Sequence, residues 1–379
     1  MPEERIVISG ATGFLGTELV RVLLEGHPTA RLVLLVREEP GKTAAERGEA
    51  VIRRVTPPEG REGALSRVET LAADVTQERC GLSEASYRRL AETATRVVHS
   101  AASVRFDHSL SEARRINVGG TRNILALAAA AHRAGSLRSI ACVGTAYVAG
   151  ERTGLVLEKE LDAGQRFRNT YERTKFEAER LVRQSLDSLP GVILRPSIIV
   201  GDSRTGVTRS FKTLYWPLKI YARRLWRTVP GFPEAVVDVV PVDFVSQAAV
   251  RLLFDERALG SSLHLCAGPE GSATISEIAA RAASFFGVRP PRYVDPDLFF
   301  ALVRPLLFAL LWGPKRRVLR DGRAYRSYFS MRMTFDTATA KALLAPAGLQ
   351  PPRVTDYLDR LLAYCVETDW GRRAPAPGR

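Results

Sequence analysis

The sequence predicts an α/β fold in which helices cover both faces of a doubly wound parallel sheet. Short apolar runs rich in β-branched residues alternate with helical stretches through the first half of the chain. A glycine-rich turn joins the first of these strands to the first helix. The chain has 379 residues, 45% of them hydrophobic, which is more than one simple domain needs. We therefore expect the sheet domain to carry a smaller, mainly helical part.

The first strand and helix flank the motif GATGFLG. An apolar run at residues 5–9 leads into the motif, and leucines and valines then recur at helical spacing until Gly26. Glycines at such a turn let the backbone approach a pyrophosphate, which the free N–H groups at the helix N-terminus can bind. The motif therefore predicts a dinucleotide site of the Rossmann type, formed by Gly10, Thr12, Gly13, Phe14, Leu15 and Gly16.

The second strand, residues 31–36, ends at Arg37. Sites for NAD commonly have an acidic residue at this point for the ribose hydroxyls, whereas a guanidinium can bind the 2′-phosphate of NADP. Arg37 therefore favours NADPH. Two alternatives stay open, because Glu38 or Glu39 could contact the ribose instead, and Arg37 could be a solvated strand end.

The alternation of strands and helices continues to about residue 195. Helices are expected near residues 43–55, 83–93 and 118–134, and strands at 68–73, 96–101, 138–144 and 192–195. In such a sheet, ligands bind beyond the carboxyl ends of the strands. The residues at these ends are predicted to line the coenzyme site: Asp74, Val75, Ser100, Ala101, Ala102, Pro196, Ser197 and Ile198.

The sequence NTYERTK at residues 169–175 is the candidate for proton-transfer chemistry. On a helix, Tyr171 and Lys175 leave the same face about one turn apart. A lysine ammonium beside a tyrosine favours the phenolate, so we expect it to bring the tyrosine pKa down toward neutral pH. The alternative is a half-buried tyrosine beside a solvated lysine.

Composition limits the other classes of function. The net charge of +14 would suit nucleic acid, an anionic membrane or a polyanionic small molecule, but no nucleic-acid-binding motif accompanies it. The four cysteines (Cys80, Cys142, Cys266 and Cys365) have no metal-ligand or disulfide spacing, so no metal site is predicted. Because the N-terminus has no basic and apolar signal pattern, we expect a cytoplasmic protein.

At these residues the chain resembles the extended short-chain dehydrogenase/reductases. Among these, it resembles most the male-sterility-type branch, which contains fatty acyl-CoA reductases and thioester reductase domains. The resemblance covers about residues 5–250. The matching pieces, in order, are GATGFLG, LLVR, AADVT, VVHSAASVRF, INVGGTRNIL, VGTAYVAG, FRNTYERTKFEAE, LRPSIIVGDSRTG and VVPVDFV. The resemblance implies an NADPH-dependent oxidoreductase whose substrate is a thioester of coenzyme A or of an acyl carrier protein.

The resemblance also implies roles for single residues. Thr145, Tyr171 and Lys175 would be catalytic, and Lys175 would also bind the nicotinamide ribose. Arg37 would bind the adenosine phosphate, Asp74 the adenine, and Ala101 would line the dinucleotide cleft. The family usually has a serine at position 144, where this chain has glycine. Asn117 is similar to a structural asparagine of the family; a helix N-cap is the alternative.

The remaining segments form the expected substrate-binding part. We assign residues 1–205 and 236–268 to the coenzyme domain, residues 206–235 and 269–369 to the substrate-binding region, and residues 370–379 to a disordered tail. The run 211–232 mixes aromatic and basic residues. It could form the rim of a site for an acyl chain and its phosphorylated carrier, or an amphipathic helix packed on the domain.

The run LFFALVRPLLFALLW at 298–312 is too short to span a bilayer. In one interpretation it lies at a membrane interface, where the arginines up to residue 320 bind lipid phosphates. In the other it is buried, as a wall of the acyl pocket or a dimer contact.

Three functions are compatible with these residues. The first is an NADPH-dependent reductase that converts a fatty acyl thioester to an aldehyde, and an alcohol if the reduction repeats. The second is a hydroxysteroid-type dehydrogenase or isomerase, or a nucleotide-sugar epimerase, although the apolar runs argue against a sugar site. The third is a dinucleotide-sensing protein without catalysis, which would not need Thr145, Tyr171 and Lys175 together.

Overall fold

The computed structural model describes residues 4–106, 108–224, 228–310, 312–313, 316, 319–320 and 331–374. Its strands are β1 (Arg5–Ser9), β2 (Arg31–Val36), β3 (Val68–Ala72), β4 (Arg96–His99), β5 (Ser139–Val143), β6 (Gly154–Val156), β7 (Gly191–Pro196), β8 (Ile198–Val200), β9 (Thr228–Pro230), β10 (Val236–Val237), β11 (Val239–Pro241), β12 (Ser262–Leu265), β13 (Ala273–Thr274), β14 (Arg292–Val294) and β15 (Met333–Phe335). Seven of them form one parallel sheet in the order β12-β7-β5-β4-β1-β2-β3. The doubly wound parallel sheet predicted from the sequence is confirmed.

Helices lie between the strands. They are α1 (Phe14–Gly26), α2 (Ala44–Val55), α3 (Arg61–Leu65), α4 (Glu84–Thr93), α5 (Leu110–Arg114), α6 (Gly120–Arg133), α7 (Thr170–Leu186), α8 (Tyr215–Ala222), α9 (Val242–Leu253), α10 (Gly268–Gly271), α11 (Ile275–Phe286), α12 (Pro296–Leu298), α13 (Arg304–Leu310), α14 (Ala338–Leu344) and α15 (Val354–Glu367). Two π-helical turns connect neighbouring helices, at Arg115–Gly119 and Phe299–Val303. Short 3-10 turns occur at Pro58–Gly60, Glu78–Gly81, Ala146–Ala149, Glu256–Ala258 and Ala345–Ala347.

The period of two along β1 shows why both faces of the sheet are covered. Ile6 and Ile8 point into a core that includes residues of α1, α2 and α9, whereas Val7 points into a core with residues of α4, α6 and α7. All three side chains are fully buried. A continuously apolar strand therefore packs against a layer of helices on each face of the sheet.

A third core holds the substrate-binding part together. It combines residues of α8, α11 and α15 with residues of β8, β11 and β15. Strands β8 and β11 pair with each other, separately from the large sheet. The segment 236–268, which we assign to the coenzyme domain, contributes β12 to the large sheet beside β7. His264 on β12 is buried and bonds the Asp336 carbonyl through Nδ1 (2.7 Å), as expected for a core histidine.

Three expectations differ from the structure. The run 211–232 forms only the short helix α8 and then β9, with Arg224 in the left-handed region (φ 55°) just after the helix, and residues 225–227 lie outside the described part. Helix α14 packs its Ala340 and Leu344 into the core of the large sheet, although our boundaries place it in the substrate-binding region.

The third concerns the tail. Trp370 is buried in the third core, so the folded chain extends beyond residue 369, and residues 375–379 lie outside the described part.

Candidate active site

In the glycine turn, backbone atoms approach each other too closely for a side chain to fit. A Cβ on Gly16 would lie 2.0 Å from the Gly10 carbonyl oxygen, and one on Gly10, whose φ is +80°, would lie 2.6 Å from the Ala101 nitrogen. Helix α1 begins directly after Gly13, which supplies no side-chain cap for the first-turn N–H groups. These N–H groups and the positive end of the helix dipole therefore have no capping side chain, which fits the pyrophosphate of a dinucleotide.

The candidate catalytic residues come together at the other end of this cleft. Asn169 caps α7 by accepting a hydrogen bond from the Glu172 N–H (2.9 Å), which fixes the start of the helix. Tyr171 is hydrogen-bonded to Thr145, which follows β5. Lys175 donates to the Val143 carbonyl through Nζ at 2.8 Å. All three residues line one cavity.

The pKa of Tyr171 differs from our expectation. Burial raises it to about 12, and the hydrogen bond from Thr145 only partly offsets this effect. We predicted a pKa lowered toward neutral by Lys175. The ammonium of Lys175 is instead bound to a backbone carbonyl at the end of β5, and desolvation outweighs any stabilisation of the phenolate. Tyr171 is therefore a neutral phenol at physiological pH.

Lys175 is also shifted by its surroundings. Burial lowers the pKa of this lysine to about 8, and nearby Cys142 and Glu179 counteract the shift. Its ammonium thus loses its proton at a lower pH than an ordinary lysine, whose pKa is 10.5. Lys175 is still mostly charged at neutral pH, but its charge is sensitive to mildly alkaline conditions.

A cavity of about 800 Å³ connects the glycine turn with Tyr171. Most of the predicted site residues line it: Gly10, Gly13, Phe14, Leu15, Gly16, Ser100, Ala102, Thr145, Tyr171, Lys175, Pro196, Ser197 and Ile198. The hydroxyl of Ser197 is turned to the buried carboxylate of Asp238 (2.5 Å). The sequence analysis missed Arg105, Phe106, Tyr147 and Lys212, which also line the cavity. Each of them had a signal in the sequence, because Arg105 and Phe106 belong to the quoted motif VVHSAASVRF, Tyr147 belongs to VGTAYVAG, and Lys212 belongs to the run 211–232.

The other predicted residues lie around the cavity rather than on its wall. Ala101 packs its backbone against Gly10. Asp74 follows β3 and accepts from the Thr76 N–H (2.9 Å), and the Val75 carbonyl accepts from the Asn123 amide (2.8 Å). Both are partly exposed. They are placed at the carboxyl edge of the sheet, on the side where an adenine would lie relative to the glycine turn.

Arg47 on α2 is a further candidate that we did not select from the sequence. It donates to the Arg37 carbonyl, pairs with Glu39 (2.8 Å) and approaches the Thr12 hydroxyl (3.4 Å). Arg37 itself is exposed at the end of β2. The Arg47 guanidinium therefore lies between the end of β2 and the glycine turn, and the carboxylate of Glu39 is already paired with it.

Asn117 links the cleft to the catalytic helix. It is buried, and its side chain accepts from the Ser103 N–H (2.8 Å) and donates to the Thr174 hydroxyl (2.9 Å) on α7. The alternative of a helix N-cap is wrong, because the chain is already helical from Leu110 and Asn117 lies within the π turn. The extra residue of this turn lets the amide bridge the loop and α7.

A second cavity of about 170 Å³ adjoins the first, and Ile198 and Thr213 line both. Its walls come from segments that are distant in sequence: α8, β9, α11 and the helical stretch at 296–310. Almost all the lining side chains are apolar or aromatic, including Trp216, Ile278 and Phe299. An apolar chain extending from the neighbourhood of Tyr171 would find a matching surface here.

Comparison with known proteins identifies related chains. A model of the family described as male sterility protein matches residues 8–249. A fatty acyl-CoA reductase of Drosophila melanogaster, wat, is 27% identical over 289 residues, which are 67% of this chain and 54% of the relative. The chain thus spans about half the length of that reductase.

Solved structures show the same architecture over nearly the whole chain. The terminal R domain from the myxalamid PKS-NRPS pathway matches with a TM-score of 0.83 and 27% identity, covering 99% of this chain and 93% of that domain. The R domain of a nonribosomal peptide synthetase from Mycobacterium tuberculosis has a TM-score of 0.72 at 23% identity and covers 99% and 94%. The expected extended short-chain dehydrogenase/reductase fold is confirmed.

The described part of the chain lacks a membrane-spanning helix and a metal-binding cluster. Within that part of the chain, no helix has the length and apolar character to cross a membrane. In the same part, no three histidine, cysteine, aspartate or glutamate side chains are grouped so that they could bind a metal ion.

Proposed function

Since this chain belongs to the male sterility protein family of NAD-binding proteins, we propose that it is a reductase that uses NADPH. Its proposed substrate is a lipid-like acyl thioester, which it reduces to an aldehyde. One observation carries the proposal: the cleft with Thr145, Tyr171 and Lys175 adjoins an apolar cavity, and Ile198 and Thr213 line both. A reactive carbonyl beside Tyr171 and a hydrocarbon chain beyond it can therefore be bound together.

The coenzyme would lie between the glycine turn and Lys175. A bound nicotinamide would supply a hydride to the thioester carbonyl carbon. NADPH rather than NADH is supported by Arg37 and Arg47, whose guanidinium groups suit a 2′-phosphate. The pairing of Glu39 with Arg47 argues against Glu39 as a ribose ligand of the NAD type.

Tyr171 and Thr145 are proposed to hydrogen-bond the carbonyl oxygen. As the carbonyl carbon accepts a hydride, negative charge grows on this oxygen, and a neutral phenol can donate a hydrogen bond and then its proton. A tyrosine pKa of about 12 keeps the proton in place until that moment. The raised pKa thus suits reduction, in which the tyrosine must act as an acid.

Lys175 is proposed to supply positive charge behind Tyr171. Its buried ammonium lies one helical turn away and would bind the ribose hydroxyls of the coenzyme. The charge also favours the tyrosinate that remains after proton transfer. Asn117 is a positioning residue, because it holds α7 through Thr174 and touches neither tyrosine nor lysine in the bonds described.

The reaction balances with one hydride and one proton. The hydride adds to the carbonyl carbon and the proton to its oxygen, giving a hemithioacetal. Breaking the carbon–sulfur bond then releases the thiol of the carrier and leaves the aldehyde. The carrier is either coenzyme A or an acyl carrier protein, and a second hydride transfer would give the alcohol.

The proposal is tested by coenzyme oxidation against a substrate panel. The purified chain is given NADPH or NADH with acyl-CoA of increasing chain length, the same acyl groups on a carrier protein, and long-chain aldehyde; a 3-hydroxysteroid is tested with NADP. We expect turnover of a thioester with NADPH. Turnover of the steroid alone would favour the hydroxysteroid-type alternative, and coenzyme binding without turnover would favour the sensing alternative.

The acyl site is tested by narrowing the apolar cavity. Ala279 lines it from α11, whereas Ala280, the next residue, is exposed on the same helix. Ala279→Phe should lower kcat/KM for the longest accepted acyl chain at least about tenfold, since several buried methylenes lose their site, and leave the shortest unaffected. The matched control Ala280→Phe should change neither. Equal loss at all chain lengths would remove this cavity from the proposal.

The pH dependence of activity should show the lowered pKa of Lys175. Because the pKa is about 8, the ammonium is lost above that pH, and kcat/KM should fall about tenfold per pH unit there. In Lys175→Arg the charge persists, so the alkaline decrease should move to higher pH even if the maximal rate is lower. An identical alkaline limb in this variant would contradict the assignment.

A further inference from the structure

We propose that the helical stretch Pro296–Leu310 docks this protein on the surface of an anionic lipid bilayer. The stretch consists of α12, the π turn at Phe299–Val303 and α13, which follow one another without a break. The inference goes beyond the proposed reaction and does not depend on it, because it concerns the outer face of this stretch and not the cleft.

The stretch has two apolar faces. Phe299 is buried, and together with Phe300 it lines the apolar cavity, so the inner face is already covered by the protein. The outer face consists of leucines at a spacing of four. Their side chains are largely exposed: Leu298 at 55%, Leu302 at 65%, Leu306 at 62% and Leu310 at 64%. This row is an apolar stripe that no residue of the described part of the chain covers.

The stripe differs from the rest of the described surface. Other exposed large hydrophobic residues, such as Leu155 and Val366, do not form a row at helical spacing. Single exposed apolar residues are ordinary, but contiguous ones mark a binding surface. Trp312, 76% exposed, extends the stripe at its C-terminal end, and tryptophan is favoured at membrane interfaces.

The charges near the stripe favour a lipid bilayer over a second copy of the chain. Two exposed acidic residues, Asp295 and Asp297, lie at the N-terminal end of the stretch, and from Leu298 to Arg320 the sequence contains Arg304, Lys315, Arg316, Arg317 and Arg320 and no further acidic residue. Arg316 lies over the rings of Phe308 (4.5 Å) and Trp312 (5.5 Å), which places its charge beside the stripe. Two such surfaces would repel each other, whereas anionic lipid phosphates would attract them.

The dimensions favour a position in the plane of the interface. The helical stretch is shorter than the roughly 20 residues that span a hydrocarbon core, and its inner face is occupied by the protein. Only the outer face is available for acyl chains, as in interfacial helices. A lipid-like substrate would then approach the apolar cavity across Phe299 and Phe300, directly beneath the docked stripe.

The test is cosedimentation of the full chain with vesicles. Vesicles of phosphatidylcholine alone are compared with vesicles that contain about 30% phosphatidylserine. We expect binding to the anionic vesicles, weakened by salt, and a blue shift of tryptophan emission that is absent in Trp312→Phe. Leu302→Ser with Leu306→Ser should lower the vesicle partition coefficient at least about tenfold.

Two controls make the result specific. Leu155→Ser with Val366→Ser removes two apolar side chains of similar exposure away from the stripe and should leave binding unchanged. The stripe variant should keep the cooperative thermal unfolding transition of the parent chain, which shows that it is folded whether or not the proposed reaction is correct. Absence of vesicle binding, an equal loss in the control pair, or self-association that the stripe variant abolishes would each overturn the proposal.

Discussion

Replacing Tyr171 with phenylalanine is expected to lower kcat for thioester reduction about a thousandfold while the Kd of the coenzyme stays nearly unchanged. The variant removes the donor to the growing oxyanion and the source of the proton, and each effect is large in enzymes. The ring itself stays, so its contact with Phe106 (centroids 5.9 Å apart) is preserved. Single-turnover kinetics and coenzyme titration measure the two quantities separately.

Tyr147→Phe is the matched control for this variant. Tyr147 lines the same cavity and is also buried, so the change removes one hydroxyl from the same wall. We expect its kcat to stay within about threefold of the parent chain, since Tyr147 has no part in the proposed proton transfer. Equal losses in the two variants would mean that Tyr171 acts only through the general polarity of the cleft.

The raised pKa of Tyr171 shows where reasoning from a motif reaches its limit. The spacing of Tyr171 and Lys175 correctly places both side chains on one helix face, because that follows from helix geometry alone. The sign of the pKa shift depends on how deeply the phenol is buried and on the partner that Lys175 chooses. Its partner is the Val143 carbonyl, contributed by a strand 32 positions earlier, and no local pattern contains that information.

The same distinction separates the coenzyme end of the cleft from the acyl end. Most coenzyme candidates could be read from the sequence because each follows a strand, and parallel strands end at one edge. Arg47 was missed because it reaches the turn from the first part of a helix, ten residues after Arg37. The apolar cavity was out of reach, since Ile198, Trp216 and Phe299 meet only through tertiary packing.

The run at 298–312 shows a different limit. The sequence offered a membrane-surface element or a wall of the acyl pocket as alternatives. The structure assigns one face of the stretch to the cavity, through Phe299, and leaves the leucine face exposed. A short apolar run gives no simple period from which two apolar faces could be separated, and here a π turn also shifts the helical register.

The glycine turn allows the strongest test of the coenzyme site. Gly16→Ala is expected to lower the free energy of unfolding by about 3 kcal/mol and to raise the coenzyme Kd sharply, because the new Cβ would lie 2.0 Å from the Gly10 carbonyl oxygen. Alanine stabilises a helix by about 1 kcal/mol relative to glycine, so the destabilisation from the clash must be larger than this gain. The backbone atom it meets cannot rotate away as a side chain could.

Gly26→Ala measures the effect of helix propensity alone, on the same helix and without a clash. A Cβ at Gly26 would meet nothing within 4 Å, so this variant should be as stable as the parent chain or up to about 1 kcal/mol more stable, with coenzyme binding intact. Denaturant titration with and without coenzyme compares the three proteins. If Gly16→Ala behaved like Gly26→Ala in both measurements, the close approach of α1 to the turn would not be what builds the pyrophosphate site, and the coenzyme would have to be held elsewhere in the cleft.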